Sequence, residues 1–391
     1  MGGERGFPVG ASVTIEQLDQ DPHSVLARLR ASEPVSWLPA LDGWLVTRHG
    51  LALDVMRDAV TFTVDDPRFS TARVIGPSML SLDGREHRRH REPFVPPFRS
   101  TAVRERFAGP VAVETQRLLD QLAPAGTAEL RRSFAGPLAT RIVALALGMQ
   151  DAEVGDVLAW YDAIVAAVTD MTAGGALPAS GQEAFGALDR RLRAVIDAGD
   201  SSSLLSSVAT SAQLGTDQVV SNAAVLLFGG IETTEGMIAN AIAHLLEHPA
   251  ELALVRRHPQ LLDSAIEESL RLEPAAAVVD RYATSDASLS SASIARGDLV
   301  RVSIAGANRD PAVFSHPNRF DLRRSGPRGH LAFAHGPHVC VGIHLARLEA
   351  RVAISELLRR LSGLRLDPQR PPAVRGLVFR KPQTLHALWD A

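Results

Sequence analysis

The stretch from Thr216 to about Glu247 reads as one unbroken helix, and it limits what the rest of the chain can do. Thr216 is placed to cap its start, Asp217 suits the positive end of the helix dipole, and His248-Pro249 stops it. At about 1.5 Å per residue such a helix spans roughly 48 Å, the width of a whole domain. Its middle, NAAVLLFGGIETTEGMIANAI, is apolar on every side and therefore belongs in a protein interior. Helical spacing recurs around it, over roughly 50–58, 86–98, 101–122, 135–148, 151–170, 184–198, 249–257, 260–271 and 343–361. Strand patterns are few. Val35 to Thr47 reads as two short strands around an Asp42-Gly43 turn, and further pieces fall near 278–283, 299–304 and 375–389. The pattern predicts a mainly α fold with small accessory β-sheets.

Composition narrows the function. The chain has 391 residues, 46% hydrophobic and 22% charged, with a net charge of -3. That balance gives no reason to expect nucleic acid or an acidic membrane as a partner. The longest apolar run, Ala223 to Ile231, is too short for a bilayer, which needs about 20 residues. One cysteine excludes an intrachain disulfide, and MGGERGFPVG has no apolar signal-peptide core. The expectation is a soluble, cytoplasmic protein. Lys381 is the single lysine among many arginines, a bias attributed to a GC-rich genome.

Several short motifs have poor local rationales. Gly229-Gly230 interrupt the long helix at a cost of about 1 kcal/mol each relative to alanine, and Glu232 and Thr233 follow at once. Either a neighbouring helix packs closely on the glycines, or something flat lies against them and meets an acid and an alcohol. Glu268 and Arg271 share a helix face at i, i+3 and can pair, with Arg319 as a candidate third charge. His87 and Arg91 share a face of DGREHRRHREPF; alone, that segment reads as a solvated basic helix, and Arg281 in VVDRYATSD is equally ambiguous.

Cys340 stands in FAHGPHVCVGIHLA, between a glycine-rich loop and a helix start. It can be an inert buried residue, a nucleophile whose base would have to be His338, or an axial thiolate to haem iron. A zinc site lacks ligands. The haem option accounts for the other motifs together. Buried propionates need donors such as His87, Arg91, Arg281 and His338; the macrocycle would press on Gly229-Gly230; and Glu232 with Thr233 could relay protons.

With these residues the sequence resembles the cytochrome P450 family in its bacterial form. FAHGPHVCVGIHLA, beginning at Phe333, is similar to its cysteine loop, GGIETT to its oxygen-activating helix motif, and EESLR to its Glu-x-x-Arg pair. NRDPAVFSHPNRFDL and EHRRHR are similar to the segments that lead into the haem loop and hold propionates. The motifs keep the family's order over about residues 60 to 391. The resemblance implies a single haem-thiolate domain over 1–391 without a fused reductase. It implies haem b (iron protoporphyrin IX) with Cys340 as metal ligand, and His87, Arg91, Arg281 and His338 on propionates. Thr233 would steady dioxygen, Glu232 would supply protons, and Glu268, Arg271 and Arg319 would form a structural cluster. Two departures are visible: Ala334 replaces a glycine, and Ile231 stands where many relatives are polar.

The implied activity is monooxygenation, hydroxylating or epoxidising a lipophilic small molecule in natural-product tailoring. Electrons would come from a ferredoxin and its reductase, with Arg88, Arg89, Arg347 and Arg351 as a docking patch or as ordinary surface charges. Met79, Val225, Phe228, Val278, Val279 and Phe379 are candidate pocket residues, and Arg68 to Leu82 a mobile loop over the entrance. Within the same fold, phenol coupling, desaturation or rearrangement is the alternative. A non-catalytic haem sensor or carrier, or a cysteine hydrolase, are the alternatives from other classes.

Overall fold

The computed structural model describes residues 6–172, 178–200, 203–211, 213–324, 326 and 329–390. Six helices carry the argument: α1 (Gly84–Arg91), α2 (Ser100–Leu122), α3 (Gly136–Ala146), α4 (Thr216–Glu247), α5 (Leu262–Leu272) and α6 (Ile343–Arg360). The strands that matter are β1 (Val35–Leu38), β2 (Gly43–Val46), β3 (Phe62–Thr63), β4 (Val278–Ala283), β5 (Leu299–Ser303), β6 (Val374–Arg375) and β7 (Lys381–Pro382). The architecture is mainly helical with small sheets, as the sequence predicts.

Helix α4 is the axis of the largest core, and α2, α3, α5 and α6 supply the apolar faces around it. Ile231, Ile238 and Ile242 on α4 are buried, as are Phe107 on α2, Leu138 on α3 and Ile354 on α6. Its cap differs from expectation. Gly215 is the N-cap, and its N–H donates to Gln218 Oε1 (3.1 Å), so Thr216 is the first helical residue and not the cap. The helix expected over 86–98 is shorter, because Pro93, Pro96 and Pro97 cannot continue it; two 3₁₀ turns replace its second half. Helices at Ile15–Gln20, His23–Ser32, Ser70–Ile75 and Leu204–Thr210 were outside the expected set.

One five-stranded sheet, in the order β1-β2-β5-β4-β3, forms a second core. Its pairs are antiparallel except β2 with β5, where Trp44 lies opposite Val300. Alternation along β4 turns Val279 towards this second core, whereas Val278 faces the other way. Strands β6 and β7 form a hairpin that lies against α4. No described helix is long and apolar enough to cross a membrane.

Candidate active site around Cys340

The cysteine loop is a tight, backbone-defined turn. The Cys340 N–H donates to Phe333 O (2.9 Å), which closes the loop on itself. Gly336 has a φ of 73°, and a Cβ there would lie 2.5 Å from Met56 O, so only glycine fits. Ala334 also sits in the left-handed region, at φ 56°, where glycine would be unstrained. After Gly342 the chain enters α6. Cys340 is deep yet not fully covered. Burial pushes its thiol up from the ordinary range, against the opposing pull of the Gly342 N–H and the Arg91 and Arg347 charges. A sulfur in such surroundings is neutral on its own and becomes a thiolate when it coordinates a metal cation.

A cluster of donors surrounds this loop. Arg91 Nη2 donates to Val339 O (2.5 Å), next to the cysteine. The His87 and His338 rings lie 4.3 Å apart. His338 Nε2 pairs with Asp83 Oδ1 (2.7 Å), and the other Asp83 oxygen accepts from Thr63 Oγ1 and the Val64 N–H. Burial opposes ionisation of Asp83, but these hydrogen bonds outweigh it and hold its carboxyl below the usual range. His87 is pushed down to about 4, first by burial and then by His338 and Arg91, so it is a neutral imidazole. Its Nε2 is buried without a partner. Arg281 is 4% exposed; its Nη1 reaches only the Asp280 carbonyl (2.7 Å), and among the described residues no carboxylate lies within ion-pair distance.

Helix α4 presents one open face. Leu226, Gly229, Gly230 and Thr233, spaced i, i+3, i+4, i+7, are half-buried although their neighbours on the helix are mostly buried. A Cβ on Gly229 would meet nothing within 4 Å. At Gly230 it would approach Val143 of α3 to 2.8 Å, so Gly230 also lets two helices pack closely. Thr233 Oγ1 donates to Gly229 O (2.7 Å). Glu232 points elsewhere, to Lys381 Nζ at 2.8 Å.

The structural cluster forms with a different third member. Arg271 donates through Nε and Nη2 to Glu268 (2.8 Å each), and the third charge is Arg324, with Nε 2.9 Å from Glu268 Oε1. Arg319 is exposed and contributes only its carbonyl, to Arg271 and Arg324. Arg347 is taken up in a second pair, donating to Glu267 at 2.6 and 2.8 Å and stacking over Phe333 at 4.7 Å. Arg89 pairs with Glu86, and Arg351 lies 3.5 Å from Asp263; of the four arginines expected in a docking patch, Arg88 alone is exposed with no ion pair among the described residues.

The pocket candidates separate into two groups. Phe228 and Phe379 meet at 5.5 Å and 73°, with Tyr161 6.3 Å from Phe228. Val225 and Met79 belong to the same core, and the Met79 N–H donates to Asn222 Oδ1 (2.7 Å), which ties the 68–82 segment to α4. Val278 is a correction. It lines a small cavity with Leu18, Leu26 and Leu41, behind the sheet and away from α4. Sequence reasoning missed Asp83, Tyr161, Arg324 and Lys381; only Lys381 carried a signal, its uniqueness.

These residues fit a planar, carboxylate-bearing metal cofactor that Cys340 would ligate. The orphaned His87 Nε2, the unpaired Arg281 and the empty space beside Gly229 each lack what such a group would supply. Fold and site thus define a haem-thiolate protein. The family model described as Cytochrome P450 matches residues 193–386. The chain is 33% identical to Cytochrome P450 107B1 of Saccharopolyspora erythraea, over 89% of each chain. It is 34% identical to Cytochrome P450 monooxygenase PikC of Streptomyces venezuelae, over 89% of this chain and 85% of that one. Among solved structures it is similar to a post-tailoring hydroxylase, HmtN, involved in himastatin biosynthesis, with a TM-score of 0.83, 27% identity, and coverage of 95% and 98%. The chain belongs to the cytochrome P450 family and is an oxygen-incorporating oxidoreductase with a haem-thiolate cofactor.

Proposed function

We propose that the chain binds haem b and hydroxylates or epoxidises a lipophilic small molecule in natural-product tailoring, with electrons from a ferredoxin and its reductase. The observation that carries the haem site is the set of unsatisfied groups around the cysteine loop, led by the buried His87 Nε2 and Arg281. Cys340 would hold the iron through its sulfur. His87, Arg91, Arg281 and His338 hold the propionates by charge-assisted hydrogen bonds, and the Gly342 N–H moderates the sulfur's charge. Bound haem supplies the oxygen chemistry. Thr233 holds a proton at Oγ1 over the open face of α4, Glu232 is the acid that replenishes it, and Phe228 and Phe379 wall an apolar pocket. The similarity to a hydroxylase of himastatin biosynthesis supports the substrate class.

Removing the alcohol tests the relay. Thr233→Ala should leave haem binding intact while about tenfold less product forms per reducing equivalent, the rest appearing as peroxide. Undiminished coupling in that variant excludes Thr233 from proton delivery.

A further inference from the structure

The chain's only lysine is built into the acid side of the relay. Lys381 Nζ lies 2.8 Å from Glu232 Oε1 and 2.6 Å from Glu235 Oε2. Its stem crosses Gly236 of α4, where a Cβ would stand 3.5 Å from Lys381 Cβ. Glu235 also faces Arg131 Nε (3.3 Å) and Arg132 Nη1 (3.8 Å), and Arg132 pairs with Asp162 (2.9 Å). Three cations therefore meet three carboxylates. The hairpin that carries Lys381 is fixed: Arg380 Nε donates to Glu273 (2.7 Å) and Nη1 to the Asp19 and Gly376 carbonyls (2.7 and 2.8 Å).

The helix places Glu232 and Thr233 on different faces. Phe228, Glu232 and Glu235, at i, i+4 and i+7, form the face that meets the β6–β7 hairpin. Thr233 lies about 100° further round, on the open face with Gly229. A carboxylate bound to Lys381 is turned away from the hydroxyl it is to serve.

We propose that Lys381 is a positioning residue for Glu232: it holds that carboxylate in an ion pair and turned from Thr233, so proton delivery waits on release of this ion pair. The proposal rests on reading Glu232 as the relay acid. It makes the terminal hairpin, which also sets Phe379 against Phe228, a participant in the timing of proton supply. Without the ammonium, two buried carboxylates one turn apart repel, and Glu232, which among the described residues has no ion pair to arginine, takes up a proton.

Because Lys381 is unique in the sequence, lysine labelled with ¹³C and ¹⁵N gives one side-chain signal in the diamagnetic, reduced, carbon monoxide-bound holoenzyme. The expected signal is that of an immobilised ammonium, shifted by Glu232→Gln. A signal like that of a free, exposed lysine, indifferent to that substitution, overturns the proposal. Infrared spectra give a second readout. Lys381→Met, and Lys381→Met with Glu235→Gln should the first fold poorly, should gain a carboxylic acid carbonyl band that Glu232→Gln removes; its absence also counts against the proposal. In turnover, Lys381→Met should make proton delivery independent of the ion pair, so the rate no longer waits on its release and gains a dependence on pH, and Lys381→Arg should restore the wild-type profile. If Thr233→Ala stays fully coupled while the lysine signal behaves as expected, the relay reading fails and the ion pair stands. The converse result sinks the lysine's role alone.

Discussion

Two groups of buried charge differ in how far the chain itself satisfies them. In the first, Glu268 accepts from Arg271, Arg324 and the Asp321 N–H, and the remaining Arg271 donors reach the Asn308, Pro317 and Arg319 carbonyls. Arg271 and Glu268 are both fully buried and fully engaged. In the second, His87 Nε2 is orphaned and Arg281 touches only a neighbouring carbonyl. A cluster closed on itself is architecture: it fixes the segment leading to the cysteine loop. A cluster left open, at the same depth, is a place made for something the polypeptide does not contain.

Substitutions separate the two. Arg271→Met leaves Glu268 with only Arg324 and the Asp321 N–H, and should cost about 3–5 kcal/mol of stability by urea unfolding, with or without haem. Acid comes next. His87 titrates at about 4 in the folded chain against 6.5 when unfolded, so between those values the unfolded state binds the extra proton. The haem-free protein should therefore be fully stable in this respect above pH 6.5. It should lose about 3 kcal/mol as pH falls to 4, with His244, also pushed down to about 4 by burial, adding in the same window. His87→Phe should remove its share of that slope, and haem should flatten the slope in the wild type by giving His87 an anion; an unchanged slope on loading would place His87 outside the haem contacts. Arg281→Met should weaken haem binding about 10- to 100-fold, yet leave the haem-free chain as stable as before or more so. If it destabilised the empty protein as Arg271→Met does, the contrast would fail. Smallest is Ala334→Gly. Relief of the left-handed strain, offset by greater freedom when unfolded, should stabilise the protein by about 1 kcal/mol or less, read as a small rise in Tm.

The long helix, the principal helices and the strands at 278–283 and 299–303 were legible because each carries its own periodicity. The site residues were legible as a set of motifs, and the structure brings His87, Arg91 and His338 to one loop. What escaped was decided by neighbours distant in sequence. Nothing local distinguishes Arg319 from Arg324, since each closes a short turn on the carbonyl three residues back, and only the packing of that segment aims one at Glu268. Gly230 reads like Gly229 until Val143 of another helix occupies the space beside it. Val278 and Val279 are adjacent and alike, and only the sheet's two faces tell them apart.

Arg380 has a consequence for how such a molecule comes into being. Its guanidinium reaches the carbonyls of Leu18 and Asp19, a separation of 362 residues in the case of Leu18. A polypeptide emerging from its amino end cannot make those bonds until Arg380 has been synthesised, so the segment around Leu18 and Asp19 must wait, unlatched, while the intervening residues appear. The neighbouring strand β7 lies against α4, so that contact too is made late rather than early.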